Sequence, residues 1–447
     1  MTDITVLFAL AIVSLIIVMP VVAEDRLIAH YVRLPKPIGV GKGTTLLLGR
    51  LVSGFSIVVP MYLTVQNGVL AGGVFALGVV SSIFFYSYII SKSGNSLFDF
   101  LDQLAPLSKI QLTIICLGSN LVYLFLQVVL VGVTLHELIG TPYRVTIFIV
   151  TLFCMIYAGI GGIRGIRMLS FPFLAILFFS AMVIPLTLFL IKGIHPVYSN
   201  LSMTNSNLII EPLSNLLIYF ITFVCTTSFL FSDLYLRMRV LDIKEKRQRA
   251  SLSYASFCWS AIPLAFTALT IYVLSQIGEA SFENVLNAMK DEVSGFIFLC
   301  VLLSWVISFV VGIGTSLQGI ISHLQLLHVP TEKEQWLRLK LGYLFGFIIV
   351  ILLIIPDVSM NGVLSSIKWY LFFLVGMSVP IVTTMMFTHR FNFSLPLTSV
   401  VLLSSVWVVA TIALSFYVQL LLTFLISCLL SFGFIFIKIK ILQKQQK

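Results

Sequence analysis

Apolar residues follow one another in long unbroken blocks over nearly the whole chain, with short polar stretches between them. A hydrocarbon core about 30 Å thick takes roughly 20 apolar residues per helix. That window predicts about thirteen spans, at residues 5–23, 45–66, 69–91, 110–135, 145–160, 168–191, 213–236, 251–277, 294–326, 341–356, 362–388, 397–416 and 418–437. The blocks are apolar on every face rather than alternating, which excludes the strands of a transmembrane barrel. An all-α polytopic membrane protein is therefore expected. The connections are too short for a water-soluble catalytic or binding domain, so the function belongs to the membrane part.

Composition sharpens this reading. Of 447 residues, 59% are hydrophobic and 10% are charged, where soluble domains carry about a quarter charged. A net charge of +10 would raise nucleic acid as a partner of a soluble protein, but the placement of the charges speaks against it. When the spans are threaded from an outer amino terminus, all of the 27 Lys and Arg except Arg144, Lys192, Lys290 and Lys368 fall on one face, Arg50, Arg164, Arg167, Arg237 and Arg239 among them. That face is cytoplasmic by the positive-inside rule, with the carboxyl terminus inside. A bacterial cytoplasmic membrane is the expected location. The first block has no basic residue before it and Arg26, Arg33 and Lys36 after it, the flanks of an uncleaved span rather than of a secretory signal.

The six cysteines fall inside spans without short pairing, so neither a disulfide framework nor a zinc site is indicated. The histidines are scattered, and no cluster of His, Asp or Glu at one depth offers the machinery of a membrane-embedded enzyme. The expected chain is not an enzyme and holds no resident metal or cofactor.

Spans two to six and seven to eleven form two blocks of five. The organisation expected is an extra span and basic loop (1–44), a first five-helix unit (45–192), an outer loop (193–212), a second unit (213–388) and two closing spans with a basic tail (389–447). A repeat of odd helix number enters the membrane from opposite sides, so the halves would be inverted, as in secondary transporters whose substrate lies at the midplane between broken helices. Ser53-Gly54 and Pro60 lie inside the second span and read either as a break with a polar lining or as a kink at a close helix contact. The seventh span has no Gly or Pro but carries Thr226, Thr227 and Ser228. Those hydroxyls either line a polar site or bond their own helix carbonyls.

Several segments, in matching order over about residues 45–330, resemble the sodium:solute symporter family of sugar, proline and pantothenate carriers. Tyr157 through Gly161-Gly162-Ile-Arg-Gly165-Ile166 is similar to that family's Tyr-x-x-x-Gly-Gly-x-x-Ala-Val turn. The stretch from Gln127 to Ile139-Gly140-Thr141-Pro142-Tyr143 resembles its Thr-Gly-Ile-Pro-Tyr ending, and Ser96-Leu-Phe-Asp-Phe-Leu101 its Thr-Leu-x-Glu-Phe-Leu segment. Ser232-Asp233 through Arg237, Met238-Arg239 and Leu241, followed by Lys246-Arg247, resembles Thr-Asp-Gln-x-x-x-Gln-Arg-x-Leu with its basic tail. The resemblance implies a LeuT-type core of five plus five inverted helices, with one helix before and two after. It also implies gate or turn roles for Gly161, Gly162, Asp233, Arg237 and Arg239. Asp233 has Arg237 at i+4, so an interfacial Asp–Arg pair stands beside a role in the inner gate.

At the family's cation site the chain departs from the pattern. Backbone around Ser53 and Gly54 would supply carbonyls, but Ser170 stands where the family has an Asp. Gly312 and Ile313 stand at the family's hydroxyl pair, or Gly314 and Thr315 if the register slips by two, with Ser316 beside them. Sodium coupling is therefore expected to be degraded or replaced, with Na+ or H+ the coupling ions to consider. For substrate, the resemblance carries over Thr226 as a polar contact and Phe229 as a stacking aromatic, and Gln127 lies on a contributing span. With no Lys or Arg expected near the midplane, a small neutral or zwitterionic solute is the expected cargo, taken up by alternating access. Two rivals are a non-transporting sensor or assembly protein with a separate signalling partner, and a lipid-linked sugar flippase.

Overall fold

The computed structural model describes Ile12, Ile16 and Pro20 together with residues 32–93, 106–205, 208, 212–278, 280–293, 295–326, 359–387 and 416–445. Apart from isolated positions, the first, tenth and twelfth expected spans lie outside the described residues. The second span is α1 (Val40–Leu51) and α2 (Phe55–Asn67), followed by α3 (Ala71–Ser93), α4 (Pro106–Ile139) and α5 (Tyr143–Cys154). A π-helical turn (Met155–Ile160) leads into α6 (Gly162–Lys192), and α7 (Ile194–Thr204) lies in the outer loop. The seventh span is α8 (Pro212–Ser232) and α9 (Leu234–Leu241), and the eighth is α10 (Gln248–Trp259) and α11 (Ala261–Leu274). Then come α12 (Phe282–Glu292), α13 (Gly295–Leu326), α14 (Met360–Phe387) and α15 (Phe416–Gln445).

Among the described residues, eight helices are long and apolar enough to cross a membrane, and α1 with α2 forms a further span bent by 53°. The chain is thus an integral membrane protein built of helices. Lipid tails are as apolar as leucine, so helices in a bilayer associate through close packing and polar contacts rather than through a hydrophobic force. The most enclosed of the eight membrane-long helices, α13, shows this. Ser304, Ser308, Gly312, Thr315, Ser316 and Gln318 are all buried in it, and it packs on α6, α4 and α9. By contrast, α15 turns Leu429, Phe432, Phe436 and Ile437 outward.

The Gly-Gly turn has a conformational reason. Gly161 is helical, but Gly162 sits at φ +57°, a left-handed conformation that costs an L-residue about 1–2 kcal/mol. Gly162→Ala should lower stability by about that amount, read as a drop in thermal midpoint in detergent; an unchanged midpoint would show that the turn relaxes freely.

The starts and ends of the broken spans are tied at the end of the bundle that the charge pattern assigns to the cytoplasm. Ile38 and Ile243 form a parallel bridge through Ile38 N–H to Asp242 O (2.9 Å) and Lys244 N–H to Ile38 O (3.1 Å). Arg239, fully buried, pairs with Asp242 at 2.7 Å and donates to the Val32 carbonyl. Burial pushes the Asp242 carboxyl above its ordinary value, opposed chiefly by the charge of Arg239.

Candidate functional site

A helix that stops inside a membrane frees N–H and C=O groups that no water can satisfy, so each break needs polar partners from within the protein. In the second span the helix stops at Val52 and restarts at Phe55. The Ser53 N–H donates to Ser56 Oγ (3.2 Å), and the same hydroxyl donates to Leu51 O (3.0 Å) and accepts from Trp259 Nε1 (2.8 Å). The Gly54 N–H donates to Gln127 Oε1 (3.1 Å). Pro60 stays within α2, so the interruption belongs to Ser53-Gly54.

The seventh span breaks at Asp233, one turn beyond the hydroxyl triplet. Asp233 has extended backbone (ψ 111°), and its Oδ1 accepts the Leu236 N–H as the N-cap of α9. Asn120 Nδ2 donates to Ser232 O at 2.9 Å, on the other side of the same break. Asn120 and Gln127 are seven residues apart on α4, two turns along one face, so a single helix serves both interruptions. Of the triplet itself, Thr227 back-bonds to Phe223 O (2.7 Å), Ser228 is buried, and Thr226 is half-buried with no hydrogen bond among the described residues.

Between the breaks lies Arg50, 1% exposed, at the end of α1. Its Nε donates to Asp233 Oδ2 at 2.8 Å and its Nη2 pairs with the same oxygen; both side chains are fully enclosed. Its Nη1 reaches Ser316 Oγ (2.7 Å), Thr315 Oγ1 (3.3 Å) and Gly312 O (3.4 Å). The guanidinium carbon lies 4.8 Å from the Tyr123 ring centre and 5.4 Å from that of Phe229.

This corrects several expectations. Arg50 does not belong to the cytoplasmic surface but is an intramembrane cation, so the premise that no Lys or Arg lies near the midplane fails. Asp233 pairs with Arg50 rather than with Arg237, whose Nε has no hydrogen-bond partner among the described residues. At the cation-site positions the hydroxyls are those of Thr315 and Ser316, with Gly312 contributing its carbonyl, while Ile313 is buried in the apolar core. Ser170 donates to Ile166 O (2.6 Å) and lies beside Gly49 rather than at the guanidinium.

A cavity of about 370 Å³ begins at this level. Arg50, Ser53, Phe55, Tyr123 and Phe229 form its floor region, and it runs along α2, α8 and α14 to Asn67, Lys368, Phe416 and Tyr417. It therefore extends toward the end where α2 stops and α14 and α15 start, opposite the Ile38–Ile243 bridge. Aromatic rings dominate its wall, and Tyr123 packs on Phe229 at 4.9 Å and on Phe55 at 5.3 Å. Thr226 and Phe229 line it; Gln127 does not, its oxygen being engaged by Gly54.

No family model and no curated protein matches the chain. Its fold is similar to that of solved structures. A Na+-coupled sialic acid symporter in a substrate-bound outward-open state aligns with a TM-score of 0.71 at 14% identity, covering 96% of this chain and 95% of that one. MhsT in complex with L-phenylalanine aligns with a TM-score of 0.51 at 15% identity, covering 88% and 99%. The fold is LeuT-type, with its two interrupted spans at the cavity floor.

Proposed function

We propose that the chain is a secondary carrier that moves a small neutral or zwitterionic solute with an apolar or aromatic body by alternating access, its five-helix units related as inverted repeats. One observation carries the reading: a cavity that starts at the two interrupted spans, with Arg50, paired to Asp233, on its floor, and runs from there to Asn67, Lys368 and Tyr417. One structural neighbour is by its own description a Na+-coupled symporter with bound substrate, and the other holds L-phenylalanine, which supports the reading. The ring-rich wall favours an apolar body. The Arg50 charge is matched by Asp233, so it leaves no uncompensated cation on the floor for a doubly charged anion. The cavity runs toward the outer face in the orientation that the positive-inside pattern favours, with the amino terminus outside and a bacterial cytoplasmic membrane as the setting. A lipid-linked sugar flippase, which needs two six-helix halves, does not suit this fold.

The test is a thermal-shift panel of aromatic and aliphatic amino acids, aromatic amines, nucleobases and sugars on the purified full chain, followed by counterflow of each panel solute in proteoliposomes. Thr226→Val should weaken the best solute about five-fold, the worth of one hydrogen bond of about 1 kcal/mol. A panel without a single stabilising solute, together with no counterflow, would refute the carrier reading and leave a sensor on the same fold.

A further inference from the structure

The geometry points to Arg50 as a resident cation: its guanidinium fills the oxygen cage between α1, the α8/α9 break and α13, so the chain binds no sodium there and works without that ion at this site. This rests on the carrier reading only for its consequence in transport; the occupancy itself stands apart from it.

A cage for a monovalent cation needs converging oxygens and, in a dry setting, a counter-charge. This one has both. The Gly312 carbonyl and the Thr315 and Ser316 hydroxyls converge on Nη1 within 3.4 Å, and the Asp233 carboxylate takes Nε and Nη2. Thr315 also donates to Val311 O (2.8 Å) and Ser316 to Gly312 O (2.7 Å), so the hydroxyl hydrogens point back along α13 and their lone pairs are turned toward the cation. The residues present therefore do not fit a sodium ion as well. The oxygens it would take are already hydrogen-bonded to a group that is itself positive, and the single acid of the cage is already paired. The rings of Tyr123 and Phe229 cover the rest of the charge.

A guanidinium differs from a bound ion in two respects. It cannot dissociate, so it supplies no energy from an ion gradient, and it keeps its proton throughout the physiological range, so it releases no proton either. Any coupling at this site is thus replaced by a fixed charge on α1, which can move only with the helix that carries it.

The experiment compares wild type with Arg50→Ala, each with and without Thr315→Val and Ser316→Ala, in NaCl against choline chloride at equal ionic strength. Thermal midpoint and binding of radiolabelled sodium are read for each. Wild type should show no sodium-specific stabilisation and no sodium binding that the Thr315 and Ser316 changes remove. Arg50→Ala should be destabilised in choline and partly rescued by sodium, with saturable sodium binding abolished by those changes. Sodium binding to wild type that depends on Thr315 and Ser316 overturns the assignment, as does a folded Arg50→Ala that gains none. Should Arg50→Ala fail to fold in either salt, Arg50→Gln, which keeps amide donors and lacks the charge, takes the same measurement. A negative solute panel with this result intact removes the carrier reading and leaves the resident cation standing.

Discussion

Asp233→Asn should be among the most damaging conservative changes in the protein, lowering stability by about 3–5 kcal/mol. The substitution is nearly isosteric, and its amide oxygen can still cap α9 by accepting the Leu236 N–H, so the loss isolates the charge. What remains is Arg50, buried with no counter-ion, which is the expensive state; the intact pair is worth far less than its removal costs because both ions have already been desolvated. The pair is enclosed, so the effect should persist in high salt, unlike that of a surface bridge. Pairing Asp233→Asn with Arg50→Met should recover most of the loss, since an apolar side chain of similar volume often replaces a buried ion without penalty. Thermal unfolding of wild type, both single variants and the double variant decides this. A double variant no more stable than Asp233→Asn alone would show that the carboxylate matters for something other than neutralising Arg50.

Spans and helical class were legible because lipid makes hydropathy nearly sufficient: a run of 20 apolar residues has few other uses. The break at Ser53-Gly54 was legible only in part: small polar residues inside such a run need an explanation, but a kink at a close helix contact accounts for them as well. The seventh-span break was not, because that run has no Gly or Pro, and Arg237 at i+4 gives Asp233 a partner on an unbroken helix. Asp is also a preferred N-cap, and Asp233 before Leu-Tyr-Leu could have been read as a helix start.

Arg50 is the larger miss. It lies inside the window 45–66 among leucines and glycine, close enough to the start of that span for the positive-inside pattern to place it on the cytoplasmic face. Setting it apart barely alters that asymmetry, but an ionisable residue within a span is a functional position by default, with a partner to be found. Its partner could not be read from spacing, since Asp233 is 183 residues away. Asn120 and Gln127 are polar groups inside an apolar run, which need partners in lipid. That both partners are interrupted backbones follows only once the breaks stand beside α4.

Gly54→Val should cost stability and close approach together. Gly54 is helical, at φ −55°, so its backbone does not require glycine; space does. A Cβ there would lie 2.0, 2.3 and 2.4 Å from three atoms of the Phe309 ring, and Phe309 is itself fully enclosed on α13. The ring cannot swing aside, so α2 and α13 must part, which pulls the Gly54 N–H away from Gln127 and loosens the floor around Arg50. Overpacking of this kind costs about 1–3 kcal/mol, and the branched side chain should reach the upper end. Gly54→Ala should show a smaller loss, and Phe309→Leu alone should cost stability by leaving a void. Their combination should cost less than the sum of the two, because the smaller side chain makes room for the added methyl; contacting residues couple in this way by about 0.5–3 kcal/mol. Thermal midpoints of the four proteins in one detergent give the coupling directly. Strictly additive losses would mean that α2 and α13 do not meet at Gly54 and Phe309, and the packing that holds the second span open at its break would have to lie elsewhere.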